Sequence, residues 1–183
     1  MSDIKSAWEI AQEKANKLGK LSSREREEQR QEKCRLLGEA LADKYLSQND
    51  IRIIQVELNE YETSDRDLVG KAMVRRLSQS LDFKYLDRLA GISKAILALQ
   101  NTAPTKKTLE EVEVLFQEYQ EAEKKQRQEI EEVGGQILHQ MRISGSAIGR
   151  LNIHAKEEWH SKLDQATGPF EERLKSLKQE ILR

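Results

Sequence analysis

The most regular pattern in the chain is a series of ten positions after Thr108 that alternate in steps of three and four. Seven of the ten are apolar: Leu109, Val112, Phe116, Tyr119, Ile130, Val133 and Ile137. The other three are polar: Glu123, Gln126 and Gln140. This spacing is typical of a long helix that buries one side against another helix, as in a coiled coil. We call these ten positions the seam.

A second apolar stripe near the C-terminal end predicts another long helix. Its members recur at helical spacing: Trp159, Leu163, Ala166, Phe170, Leu174, Leu177 and Ile181. Gly168-Pro169 should kink or restart this helix. Two striped helices joined by a short loop usually fold back on each other. Residues 109–183 are therefore predicted to form an antiparallel helical hairpin, with a parallel homodimer through the seam as the alternative.

The first hundred residues predict several further helices. Ser2 can cap a helix to about Leu18, with one apolar stripe: Ile4, Ala7, Trp8, Ala11, Ala15 and Leu18. Ser22 and Glu25 form a capping box for a second helix, whose first turns are charged all round and should be exposed. Residues 51–61 are rich in β-branched residues, but their helical spacing and the lack of a partner strand favour a helix.

Together these patterns predict an all-α fold, a small helical bundle plus a long coiled-coil-like helical hairpin. Residues 1–100 form the multi-helix region, with its packed core at 51–99, where apolar residues are densest. Residues 101–108, which include Pro104, form a linker before the hairpin of 109–183. Charged residues make up 34% of the chain, against about 25% in average globular proteins. Such a surplus suits extended helices better than a sphere.

The charge distribution does not indicate a dedicated nucleic-acid binder. The net charge is −1 and the two signs are interleaved, whereas such binders usually carry a basic excess. Two windows, 88–109 and 133–156, nevertheless contain no Asp or Glu. The second window supplies a candidate patch for an anionic partner surface or a nucleic-acid backbone: Arg142, Arg150, His154 and Lys156.

No group of residues in the sequence indicates catalysis, a cofactor or a metal. Cys34 is the one cysteine, so it can form neither an internal disulfide nor a cysteine zinc site, and we expect an inert, part-buried thiol. Glu157 and His160 give one Glu-x-x-His motif, where di-iron bundles need two. The segment 145–150 lacks the Lys-Ser/Thr pair of a phosphate-binding loop. We therefore expect no enzymatic activity and no cofactor, and the sequence identifies no small-molecule substrate.

The sequence also bears on location. It has no apolar run near the roughly 20 residues that a membrane-spanning helix needs. Its first residues, Met1 to Lys5, lack the features of a signal peptide. A cytoplasmic protein without a membrane partner is predicted.

Two segments resemble the ends of a family of bacterial helical proteins of unknown function. The first runs from Ser2 to Ala15, and the second combines 157–159 with 170–175. This resemblance implies no activity. The composition is also similar to that of long-helix co-chaperones of the GrpE type, although the β-rich C-terminal domain of that family has no counterpart in this sequence.

The predicted function is that of a non-enzymatic protein–protein interaction or scaffold protein. It would act through a coiled-coil-like helical surface, by self-association or by binding a protein partner. The alternative is a nucleic-acid-associated helical protein that uses the acid-free basic patches.

Overall fold

The computed structural model describes residues 22–140, Arg142 and residues 157–183. These residues contain six α-helices, two 3₁₀ helices and no strand, which confirms the all-α prediction. The α-helices are α1 (Ser23–Gln48), α2 (Arg52–Gln55), α3 (Thr63–Gln79), α4 (Leu89–Leu99), α5 (Ala103–Gln140) and α6 (Glu157–Ile181). The 3₁₀ helices are Glu57–Glu60 and Phe83–Arg88. The helix predicted to end near Leu18 lies outside the described residues.

Helix α1 begins at the predicted capping box. The Ser22 hydroxyl accepts a hydrogen bond from the Glu25 amide at 3.1 Å, and the Ser22 amide donates to the Glu25 carboxylate at 2.6 Å. These bonds satisfy two amides that a helix start would leave free. Residues 23–29 are exposed, as their charged sequence predicts. The local sequence therefore fixes both the start of α1 and the exposure of its first turns.

The segment 51–61 is helical, as predicted, but it is divided into α2 and the first 3₁₀ helix. It carries the chain back to the start of α3, so that α1 and α3 lie side by side in the same direction. Three contacts show this direction: Arg30 with Asp65, Gly38 with Ala72, and Asp43 with Arg76.

Gly38 brings the backbones of α1 and α3 into close contact. A Cβ atom at this position would lie 2.5 Å from both the Ala72 Cβ and the Val69 carbonyl oxygen. Such distances are too short for carbon–carbon or carbon–oxygen contacts, so the helices could not approach this closely with any other residue. Gly38 therefore determines the separation of α1 and α3.

Helix α5 begins at Ala103, inside the segment 101–108 where the sequence predicted a linker. The Thr105 amide donates to the Thr102 hydroxyl at 3.2 Å, which caps the helix start. Pro104 occupies the first turn, where its missing N–H breaks no intrahelical bond. Thr108 lies within α5 and donates its hydroxyl to the Pro104 carbonyl at 3.1 Å. The prediction of a linker is therefore wrong from residue 103 onward, where the chain is helical.

One hydrophobic core joins the helices on both sides of that segment. Buried residues of 51–99 belong to it, but it extends well beyond the predicted region. Its members from α1, α5 and α6 include Cys34, Leu41, Ala42, Tyr45, Leu109, Val112, Leu115, Phe116, Leu174, Leu177 and Ile181. The N-terminal bundle therefore shares its core with the first turns of α5 and the last turns of α6.

The end of α6 is tied to the bundle by hydrogen bonds as well as by burial. The Gln100 side-chain amide donates to the Ile181 carbonyl at 2.9 Å, and the Ser78 hydroxyl donates to the Lys178 carbonyl at 3.3 Å. Ile181 itself has no exposed surface. The last helix is thus an integral part of the core.

Helices α5 and α6 lie antiparallel. Residue numbers fall along α6 as they rise along α5: Arg173 pairs with Glu118 at 3.3 Å, Phe170 contacts Tyr119, and Trp159 packs with Ile130. Most of the connection between these helices lies outside the described residues, so the hairpin stays a prediction. Helix α6 continues through Pro169 and does not restart there. None of the helices in the described ranges is long and apolar enough to cross a membrane.

Candidate interaction surface

Of the ten seam positions of α5, four are buried, four are partly covered and two are exposed. Leu109, Val112 and Phe116 are almost completely buried, Ile130 is buried near the far end, and Tyr119 and Ile137 are partly covered. The buried members of both long stripes therefore lie on the sides of the helices that their spacing predicted. In α6, Trp159, Leu174, Leu177 and Ile181 are buried and face α5 or the bundle.

The polar seam position Gln140 is exposed, and Val133 is the apolar seam position that the structure exposes. It is 44% exposed, whereas its neighbour Gly134 is buried. Ile130, Gly134 and Ile137 are spaced by four and then three residues, so the covered line has moved by one position. A straight helix with 3.6 residues per turn drifts away from a strict seven-residue repeat. The prediction that Val133 is buried in the seam is therefore wrong.

An aromatic cluster marks the place where the α5–α6 pair leaves the bundle. The Phe83 ring stacks on Tyr119 with centroids 4.0 Å apart and planes within 3°, and it contacts Phe116 at 4.6 Å. Phe170 from α6 meets Tyr119 edge-on at 6.0 Å. Burial and, to a smaller extent, the nearby carboxylate of Glu123 raise the pKa of Tyr119 above its ordinary value. This cluster fixes both long helices to the 3₁₀ helix Phe83–Arg88.

Beyond the aromatic cluster the two helices form what we call the arm, residues 120–140 of α5 with residues 157–169 of α6. The α5 part is about 30 Å long. Within residues 120–140, all described, only Ile130 and Gly134 are buried. A small cluster of Ile130, Trp159 and Ile137 is separate from the main core. The arm therefore has a thin apolar contact and a large exposed surface.

Polar seam positions lie between the aromatic cluster and the small apolar cluster of the arm. Glu123 and Gln126 are partly buried there, and Arg127 binds the Glu123 carboxylate at 2.7 Å. Pairs of this kind on a helix surface contribute only about 0.3–0.5 kcal/mol. This ion pair joins two residues of α5, so it stabilises that helix and not its contact with α6.

The structure describes one residue of the predicted basic patch. Arg142 is exposed in a turn with φ = 57°, and its amide donates to the His139 carbonyl at 3.0 Å. Arg150, His154 and Lys156 lie outside the described residues, so the patch stays a prediction. The other acid-free window contains the start of α5, which is about 57 Å from the end of this helix. The two windows therefore do not meet along α5.

Cys34 is buried in the core between α1 and α3, with 2% of its surface exposed. Burial, followed by the nearby charge of Asp65, raises the pKa of its thiol.

Because the thiolate is the reactive form, iodoacetamide at pH 8 should alkylate Cys34 more than about tenfold slower in the native protein than in urea. Mass spectrometry of timed samples measures this ratio. Equal rates would contradict the buried position.

No cluster among the described residues is arranged for metal binding. In residues 22–140, 142 and 157–183, no three His, Cys, Asp or Glu side chains group closely enough to hold a metal ion. The polar contacts that are present, such as Arg30 with Asp65 and Arg76 with Asp43, connect α1 with α3. These ion pairs therefore stabilise the packing of α1 against α3.

A surface groove lies along α1, on its charged N-terminal half. The charge pattern of this segment does not predict the groove, although the spacing of its lining residues is helical. The groove has a volume of about 670 Å³ and is lined by Glu25, Glu28, Gln29, Glu32, Lys33, Leu36 and Leu37. It is apolar at the Leu36 end and acidic toward the start of α1.

Comparison of the chain with protein-family models, curated proteins and solved structures finds no match. The resemblance of the two ends to a bacterial helical family stays a prediction. The candidate functional surface is therefore the exposed surface of the arm.

Proposed function

We propose that the protein is a non-enzymatic interaction or scaffold protein that binds a helical protein surface through its arm. The observation that carries this proposal is the incomplete apolar cover of the arm. Val133 is 44% exposed, one turn away from the partly covered Ile137. These two residues form an apolar strip along a pair of helices that has little core of its own.

A third helix packed along this strip would complete the arm. Helices in water gain stability chiefly by packing an amphipathic face, and burial of apolar surface drives most protein association. The expected partner surface is an amphipathic helix with apolar residues at i, i+3 or i+4, and i+7. It belongs to a second copy of this chain or to another protein.

The polar seam positions support a specific partner over indiscriminate association. A polar residue at a seam position lowers stability but restricts register and oligomer state. Glu123 and Gln126 hold such positions, and Arg127 pairs with Glu123. A cytoplasmic location and coiled-coil-like packing belong to the same proposal. The nucleic-acid alternative has less support, because the two acid-free windows lie at opposite ends of α5 and do not form one basic surface. In addition, the Lys107 ammonium group lies 3.9 Å from the Glu111 carboxylate, which partly neutralises its charge.

Replacing Val133 by glutamate should abolish association through the arm. The side chain is exposed, so the free energy of unfolding should change by no more than about 0.5 kcal/mol, while the added carboxylate prevents burial against a partner helix. Sedimentation equilibrium measures self-association, and affinity purification from the native cell with mass spectrometry measures partner recovery.

Val114→Glu is the matched control, because Val114 is 48% exposed on the same helix but lies outside the arm. The proposal requires an oligomer or a recovered protein that Val133→Glu loses and Val114→Glu keeps. A monomer without such a partner, or equal effects of the two substitutions, would rule out the arm as the binding surface.

A further inference from the structure

A surface cavity lies between α3 and the segment that joins α4 to α5. Its volume is about 560 Å³, within the range of about 300–1,000 Å³ that small-molecule sites occupy. One wall consists of residues 98–102, and Leu58 lies between the walls. The other wall is one face of α3, whose members recur at helical spacing: Thr63, Arg66, Asp67, Gly70, Lys71 and Val74.

The core holds the cavity in shape. Leu58 and Val74 line it with apolar surface, and both belong to the main hydrophobic core, with 7% and 4% of their surface exposed. On the opposite wall, the Gln100 side-chain amide donates to the Thr105 hydroxyl and to the Ile181 carbonyl, each at 2.9 Å. The cavity is therefore preformed, as small-molecule sites usually are.

Gly70 keeps the α3 wall of the cavity open. Glycine is a poorer helix former than alanine, and close packing explains its presence at two other helical positions. A Cβ atom at Gly38 or at Gly91 would lie 2.5 Å or 2.8 Å from an atom of another residue. A Cβ atom at Gly70 meets nothing within 4 Å. Packing within the chain does not account for Gly70, whereas a ligand that approaches the α3 backbone does.

Two cationic side chains without partners lie beside this glycine. Arg66 precedes Gly70 by about one helical turn, and Lys71 follows it directly. Within the described ranges neither side chain has a hydrogen bond or an ion pair, whereas Arg76 of the same helix binds a carboxylate at 2.8 Å. Asp67 supplies the one carboxylate of the lining, so the net charge of the lining is +1.

We propose that this cavity binds a small organic anion. Its carboxylate or phosphate group lies between Arg66 and Lys71, and its apolar body lies against Leu58 and Val74. The planar guanidinium group binds either anion through paired hydrogen bonds, and the ammonium group adds a point charge. The cavity belongs to the bundle and not to the arm, so this binding is independent of the partner proposed for the arm.

The dye anilinonaphthalene sulfonate combines an anionic group with an apolar ring system, and it fluoresces when it leaves water. Fluorescence of the dye with the full-length protein should rise to saturation. Gly70→Met fills the cavity with a side chain and should remove this binding. The fold should be retained, because nothing obstructs the added Cβ atom, and circular dichroism in urea verifies it. Ala90→Met is the control, since Ala90 is exposed on α4 outside the cavity, and it should leave dye binding unchanged.

A second variant tests the charges without filling the cavity. Arg66→Gln with Lys71→Gln should raise the dissociation constant of the dye by about tenfold or more, the effect expected for a lost charge-assisted hydrogen bond. Arg75→Gln, at an exposed position of α3 outside the cavity, should leave the constant unchanged.

Competition with three compounds of equal chain length identifies the anion. Displacement of the dye by hexanoate indicates a carboxylate ligand, and displacement by hexyl phosphate indicates a phosphate ligand. Hexylamine, which carries the opposite charge, should not compete. The proposal is overturned if the fluorescence does not saturate or if Gly70→Met binds the dye as Ala90→Met does. It is equally overturned if the double glutamine variant binds like Arg75→Gln, if neither anion displaces the dye, or if hexylamine competes as well as the anions.

Discussion

Replacing Phe116 by alanine should lower the free energy of unfolding by about 4 kcal/mol. Phe116 is 2% exposed and lies at the centre of the contact between α5 and the bundle, with its ring 4.6 Å from that of Phe83. Removing the ring loses its transfer free energy and leaves a cavity that the surrounding helices can only partly fill. Urea denaturation followed by circular dichroism measures the loss.

Val114→Ala serves as the control, because Val114 lies two residues away on the exposed side of α5. Its effect should remain within about 0.5 kcal/mol. If Phe116→Ala lowers the free energy of unfolding by less than about 1 kcal/mol, the ring is not enclosed. Such a result would contradict the shared core of α5 and the bundle.

Replacing Gly38 by leucine should cost about 3 kcal/mol or more. Even a Cβ atom would lie 2.5 Å from the Val69 carbonyl oxygen, which belongs to the backbone and cannot rotate away. Helix α1 must then move away from α3, which loosens the contacts of Cys34 and Ala42 in the core. The transition midpoint in urea and the thermal midpoint should both fall.

Gly70→Ala separates this steric effect from helix propensity. Gly70 lies in α3, and a Cβ atom there meets nothing within 4 Å. This substitution should raise the free energy of unfolding by about 1 kcal/mol, because alanine is the better helix former. Gly38→Ala should show the opposite sign. If both alanine variants stabilise the protein, α1 and α3 are not in backbone contact.

The sequence was sufficient for the features that depend on local signals. The capping box of Ser22 and Glu25 predicts the start of α1, because both hydrogen bonds join residues three apart. The stripes of α5 and α6 predict which side of each helix is covered, since burial repeats with the helical period. The helical state of 51–61 followed from the absence of a partner strand.

Features that depend on contacts between helices could not be predicted from the sequence. The role of Gly38 arises from its neighbours Val69 and Ala72, which lie more than thirty residues away. The start of α5 was misplaced because Pro104 can end one helix or begin the next, and Thr102 decides between these roles. The exposure of Val133 results from a small rotational drift along a long helix, which a fixed repeat does not represent.

The burial of Ile181 has a consequence for biosynthesis. The ribosome releases Leu109 and Phe116 before the last turns of α6 that cover them. The 65 residues from Phe116 to Ile181 require about 3–13 s to translate at typical rates. During this interval the nascent chain carries an apolar surface without its partner helix, so the final packing step takes place only after residue 181 has been added.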